Sequence, residues 1–234
     1  MLPINKLTEP QGLRHYKSSS EQLTYEDLSR YRTYINKSGE SAFFELRSQL
    51  LKEQKYVCAF CGQKLLFVEN ENGTPQMKTE HFIPQNDTVE NDLNYQNLLG
   101  CCLGGQDKKG DNYCDSQKGS KFLSNIQNPS TLRSRDRTIR YKVNRKSEEV
   151  FILSSDLEKD KELNTVLNLN HQFLQNRRFQ IWKNEIHRQL GERWTVVRAE
   201  QVRQAYVDTT NGQHKEFKDF VLWYLDDWLS KNHR

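Results

Sequence analysis

The chain has 234 residues, 35% of them hydrophobic and 28% charged, with a formal charge of +4. That length suits one compact body or two small lobes sharing a core, and eleven Phe, ten Tyr and four Trp supply the apolar bulk for it. The absence of any run of about 18 uncharged apolar residues excludes a membrane-spanning helix. The opening Met-Leu-Pro-Ile-Asn-Lys-Leu holds no hydrophobic segment ahead of a cleavage site, so a cytoplasmic protein is expected.

Residues 1–40 are polar and loop-like, with Ser18-Ser-Ser-Glu21 as a helix start and Tyr25 to Ile35 as a helix. From Ser41 to Gln54, Phe43, Phe44, Leu46, Leu50 and Leu51 recur at three- and four-residue steps, which predicts an amphipathic helix leading into Cys58. Gln76 to Thr79 reads as a strand after the polar turn Asn70–Pro75, and Pro84 ends it. Residues 139–153 alternate apolar and polar about a turn-like centre, as a hairpin does. Leu157 to Leu190 and Glu200 to Trp228 read as helical, divided near Gly191, with a turn at Asp208-Thr-Thr-Asn-Gly212. The chain thus divides into an N-terminal helical segment (1–55), a cysteine-rich core (56–125) and a hairpin with a C-terminal helical lobe (126–234).

All the cysteines lie in the middle segment. In a reducing compartment, Cys-x-x-Cys thiols hold a metal more readily than they form disulfides. Zinc takes four soft ligands in a tetrahedron. Cys58 and Cys61 make one knuckle, and Cys102 with Cys114 completes the set across the Gly- and charge-rich insert 103–113. Cys101 is left as a small apolar side chain. With all four positions filled by protein such a zinc is structural, so chemistry must lie elsewhere.

Glu80-His81 is the candidate. A carboxylate can hold a hard divalent cation, and a neutral imidazole can take a proton from an attacking water. Alone, a Glu-His pair is more often a surface feature. Here Asn97-Leu-Leu follows sixteen residues later, and Asp115-Ser-Gln-Lys118 directly follows the last zinc cysteine.

This ordered set, Cys-x-x-Cys, Glu-His-x-x-Pro, Asn-Leu, Cys and Cys-Asp-x-x-Lys, resembles the HNH nuclease family and its ββα-metal motif. The resemblance implies an α+β protein with a zinc-stabilised ββα core embedded among helices. It implies Glu80 and Asp115 as ligands of a catalytic Mg²⁺ or Mn²⁺, His81 as general base, and Asn97 as the residue orienting it through a backbone contact. Lys118 would contact phosphate or steady the helix start. Asp115 departs from the pattern, since Asn or His is commoner there. The opening residues, Glu80–Pro84, Tyr95–Gly100, Cys114–Gly119 and Leu167-Asn-Leu-Asn170 are further similar to the PtuB-type HNH subunits of Septu and retron-associated anti-phage systems. That implies a nucleic-acid substrate, DNA ahead of tRNA or other RNA, and an ABC-type ATPase partner, in some systems beside a reverse transcriptase and its non-coding RNA.

The competing reading is a zinc-ribbon module that binds nucleic acid or protein without catalysis. Net charge does not separate the two, because phosphate recognition depends on where cations cluster. Lys108 and Lys109 in the insert are candidate phosphate contacts, as are Arg177-Arg178, Arg193, Arg198 and Arg203 on the C-terminal helices. Phe173, Phe179, Ile181, Trp182, Ile186 and Leu190 form a core stripe. The aromatic residues between Phe217 and Leu229 crowd more than one helix face, for packing within the chain or docking on a partner.

Overall fold

A computed structural model of the protein describes residues 1–19, 24–30, 41–66, 76–85, 92–105, 111–191, 194–209 and 211–232. Among these, helices surround two small two-stranded antiparallel sheets, an α+β arrangement, and one continuous apolar cluster runs through all of it.

The N-terminal region is more helical than its composition predicts. Helix α1 (Gln11–Ser19) buries Gly12, Leu13 and Tyr16 against α3, and so ends where the sequence reading placed a helix start. Helix α2 (Tyr25–Arg30) begins at a reciprocal cap, in which Asp27 N–H donates to Thr24 Oγ1 and Thr24 N–H donates to the Asp27 carboxylate; residues 31–35 of the predicted helix lie outside the described residues. Helix α3 (Ala42–Glu53) follows the apolar periodicity and is capped by Ser41, whose Oγ accepts from Phe44 N–H at 3.1 Å.

Strand β1 (Lys78–His81) pairs with β2 (Leu98–Cys101), placing Glu80 opposite Leu99 and His81 opposite Leu98. Gln54, at the end of α3, clamps this hairpin: its amide accepts from Gly100 N–H at 2.6 Å and donates to Gly100 and Val57 carbonyls. A Cβ at position 100 would lie 2.7 Å from Met77 Cε and 3.2 Å from Gln54 Nε2, so any larger residue must displace Met77 and press on the clamp. Glu53 is equally occupied, accepting from Lys6 Nζ, Leu7 N–H and the Tyr95 hydroxyl, which straps residues 1–10 across the hairpin. The short helix α4 (Asp115–Lys118) follows Cys114, whose positive φ of 53° turns the chain sharply.

Strand β3 (Ile139–Asn144) pairs with β4 (Glu149–Ser154), with Ile139, Tyr141, Val150 and Ile152 turned to the core. Helix α5 (Leu157–Lys161) widens into a π turn, Glu162–Val166, and then stops. The sequence pattern ran on to Leu190, but Asn170 leaves the helix to exchange both amide hydrogen bonds with Ile152 of β4. Helix α6 (Gln172–Ile181) continues through a π segment into α7 (Arg188–Leu190), ending at Gly191. Helices α8 (Val196–Val207) and α9 (Lys218–Asn232) pack on each other, and α9 closes over β3. No helix among the described residues is long and apolar enough to cross a membrane.

Candidate functional site

The cysteine site forms where the knuckle after α3 meets the end of β2 and the start of α4. Cys58, Cys61, Cys102 and Cys114 are all buried, with their sulfurs within 4.8 Å of one another. Cys61 and Cys102 sulfurs are 3.8 Å apart. A tetrahedral ion with Zn–S bonds of about 2.3 Å would hold its sulfurs about 3.8 Å apart, so the donor set fits. Cys102 N–H points at Cys58 Sγ, 3.4 Å away. Burial alone would raise the Cys58 thiol, but hydrogen bonds from its neighbouring thiols outweigh burial and hold it well below its usual range. Burial pushes Cys61 and Cys114 the other way. A divalent metal at this site would favour thiolates throughout. Cys101, though adjacent, stands outside the cluster in β2.

The second cluster lies on the β1–β2 hairpin against α4. Glu80 is buried, with Oε1 2.6 Å from Lys118 Nζ but out of line for a hydrogen bond. Burial, reinforced by the Asp115 carboxylate and opposed by Lys118, pushes the Glu80 carboxyl up to about 9. Two carboxylates this close disfavour each other's ionisation, a repulsion that a hard cation would relieve. Two carboxylates brought together in a buried site are oxygen donors of the kind a divalent cation takes. Asp115 also pairs with Lys78, 3.0 Å away, so two ammonium groups offset the two acids.

His81 is buried beside them. Its Nε2 lies 2.8 Å from the Asp92 carbonyl and 3.3 Å from the Asp92 carboxylate. A carbonyl only accepts, so Nε2 carries the proton and Nδ1 keeps a lone pair. Burial, aided by the Lys118 charge and opposed by Asp92, lowers the imidazole below its ordinary value. The ring is therefore neutral at neutral pH, the form needed to accept a proton. The Tyr25 ring meets its face edge-on at 5.0 Å, and burial pushes the Tyr25 phenol up to about 12.

Asn97 grips the loop just beyond His81, accepting from Ile83 N–H at 2.7 Å and donating to the Ile83 carbonyl at 2.9 Å. Lys118, expected at a phosphate or at the helix start, is buried at 1% exposure with its ammonium turned inward to Glu80 and the His81 carbonyl; that placement gives it no reach to a substrate phosphate. Lys108, Lys109 and Arg193 lie outside the described residues. The other helical arginines do not form a patch. Arg178 is internal, donating to the Leu169 carbonyl, while Arg177 pairs with Glu216 and Arg203 with Asp226. Arg198 donates to the Gln189 carbonyl.

Three participants escaped the sequence reading: Tyr25, Lys78 and Asp92. Lys78 carried a usable signal, since it stands two residues before Glu80 on the same strand face. Tyr25 and Asp92 carried none, because each reaches His81 through tertiary packing. No protein-family model matches the chain, and no curated protein is significantly similar to it.

Proposed function

We propose that the protein is a metal-dependent HNH-type endonuclease that hydrolyses phosphodiester bonds of nucleic acid, DNA in the first instance. What supports this reading is the Glu80–Asp115 carboxylate pair between the hairpin and α4, with a neutral His81 next to Glu80 in β1 and a separate four-cysteine site nearby. The cysteines would hold zinc, which stiffens the unit. Glu80 and Asp115 would hold Mg²⁺ or Mn²⁺, whose chemistry is to neutralise charge developing on the phosphate and the leaving oxygen.

The protein's own groups account for the rest. His81 Nδ1 takes the proton of the attacking water as the oxygen–phosphorus bond forms and the bond to the leaving oxygen breaks. The Asp92 carbonyl keeps the tautomer that leaves Nδ1 basic, and Tyr25 packs the ring in place. Asn97 fixes the backbone on which His81 is mounted. The further similarity of the sequence to PtuB-type subunits supports a role as the nuclease effector of an anti-phage complex with an ABC-type ATPase, with RNA such as tRNA the substrate in a retron-type setting.

One observation favours a second reading, a non-catalytic zinc-ribbon binding module. Lys78 and Lys118 already balance the charge of Asp115 and Glu80, leaving the pair compensated without a cation. Cleavage of plasmid DNA and total tRNA in Mg²⁺ or Mn²⁺, with and without an ABC-type ATPase partner, separates the two. Parent protein is expected to cut one substrate, and His81→Ala to lose at least about a hundredfold in rate while keeping its fold and metal content. Equal rates in parent and variant would remove His81 as the base.

A further inference from the structure

Between Arg133 and Lys146 the chain carries seven Lys or Arg against one Asp, a net of +6 in fourteen residues and more than the +4 of the whole protein. Asp136 is taken by Lys159, and Arg135 is taken by Asp226. Arg133, Arg137, Arg140, Lys142, Arg145 and Lys146 are exposed and have no carboxylate partner among the described residues. Because β3 alternates, Ile139 and Tyr141 face the core while Arg140 and Lys142 stand on the outer face, about 7 Å apart. That separation is close to the spacing of successive phosphates along an extended strand.

The row of cations runs into a groove. Beyond the β3–β4 turn, Arg145 shares an open groove of about 660 Å³ with His187, Arg188, Trp194, Tyr224 and Trp228. No carboxylate is among its lining residues that the structure describes. Trp194 lies 5.4 Å from Trp228 and 6.0 Å from Tyr224 at steep angles, so the half-buried rings form a corrugated aromatic wall. The Arg145 guanidinium sits over Trp182 just behind; of the two acids at the turn, Glu148 lies towards Lys183 and Glu149, opposite Asn144, accepts from Gln172. Cations spaced along a strand and leading to aromatic faces are the combination that single-stranded nucleic acid requires, with phosphates taken by charge and bases by stacking. A protein partner would need an acidic surface matched to the same row, and nothing in the groove favours that geometry.

We propose that the outer face of β3 and this groove form a second nucleic-acid site, which takes a single-stranded polynucleotide. Its phosphates follow Arg140, Lys142 and Arg145, and its bases stack on Trp194 and Trp228. The site shares no residue with the Glu80–His81–Asp115 cluster. It goes beyond the nuclease reading, and its test does not depend on cleavage.

The test is fluorescence anisotropy with labelled oligo-dT, oligo-rU and a DNA duplex, with no divalent cation added and across a range of salt. The double variant Arg140→Glu/Lys142→Glu is expected to weaken both single strands about tenfold or more. It should also flatten the slope of log affinity against log salt by about 1.4. A control reversal on another exposed surface, Arg14→Glu/Lys52→Glu, has the same net charge and should change affinity by no more than about twofold. Trp228→Leu should weaken single strands about fivefold or more while sparing the duplex. The preferred arm, dT or rU, identifies the strand as DNA or RNA. Unchanged single-strand binding in the folded β3 variant, or equal losses in that variant and the control, would overturn the site and leave the row of cations to a protein partner. Failure of the parent to cut any substrate would bear on the Glu80–His81 centre and leave this result intact.

Discussion

His81 owes its chemistry to residues that sequence proximity does not supply. Glu80 is its neighbour in the chain, yet Asp92 selects the tautomer, Tyr25 holds the ring and Asn97 fixes the backbone behind it. His214 shows the same dependence on surroundings. Its Nδ1 lies 3.1 Å from Lys218 Nζ, and its carbonyl accepts from Lys64. Burial first, then the charges of Lys218, Lys55 and Lys64, lowers its pKa to about 4. The unfolded chain, with an ordinary histidine near 6.5, takes up a proton earlier as pH falls, so the native state loses stability from about pH 6.5 down to about pH 4. Half-exposure limits the effect to on the order of 1 kcal/mol, or about 2–4 °C in Tm. Thermal melts of parent and His214→Gln across that window should converge as pH falls, with the variant less sensitive. Parallel curves would show that His214 is not the group responsible. Glu80, His81, Asn97 and Asp115 could be singled out because each sits at a fixed step in a short sequence pattern, and their catalytic roles stand as proposed. The inward placement of Lys118 was not legible, because a buried ammonium and a phosphate-seeking one look alike in sequence.

At the scale of elements, the hairpin β1–β2 is too short to stand alone. Four connections hold it: the Gln54 clamp from α3, the Lys6–Glu53–Tyr95 strap, the inward Lys118 of α4 and the cysteine cluster. The cysteines are the strongest of these if they carry a metal, because a structural zinc site contributes folding energy directly. Cys58→Ser should lose the bound metal, measured as zinc per chain, and lower Tm by about 10 °C or more. Cys101→Ala should keep a full complement and cost about 1 kcal/mol. A metal content unchanged in Cys58→Ser would mean the four sulfurs are not the ligands. Helix α3 and the β3–β4 hairpin were plain in the sequence, since their apolar residues recur at helical and strand periods. Helix α1 was not, because only Leu13 and Tyr16 of its nine residues mark an apolar face. The break after α5 was hidden for a related reason: Asn168 and Asn170 look like tolerable helix residues until their side chains bond to the Asn112 carbonyl and to β4.

Across the whole molecule, the C-terminal region supports the metal-ligand segments. Cys114 N–H donates to the Leu167 carbonyl, and Phe217 N–H donates to the Gly62 carbonyl beside Cys61. Phe217, Phe220, Val221, Leu225 and Leu229 of the terminal segment are buried in the chain itself, while Trp223, Tyr224 and Trp228 are only partly covered. The aromatic crowding was therefore legible as a whole. Its division into a core face and an outer face depended on where β3 and α8 pack. The central claim is that Glu80 and Asp115 hold a catalytic cation, and it is tested most directly by anomalous scattering from crystals grown with Mn²⁺. A manganese peak is expected between the two carboxylates, distinct from any ion at the four cysteines and absent in Glu80→Ala. A cysteine site filled alone, with Lys78 and Lys118 still paired to Asp115 and Glu80, would contradict it.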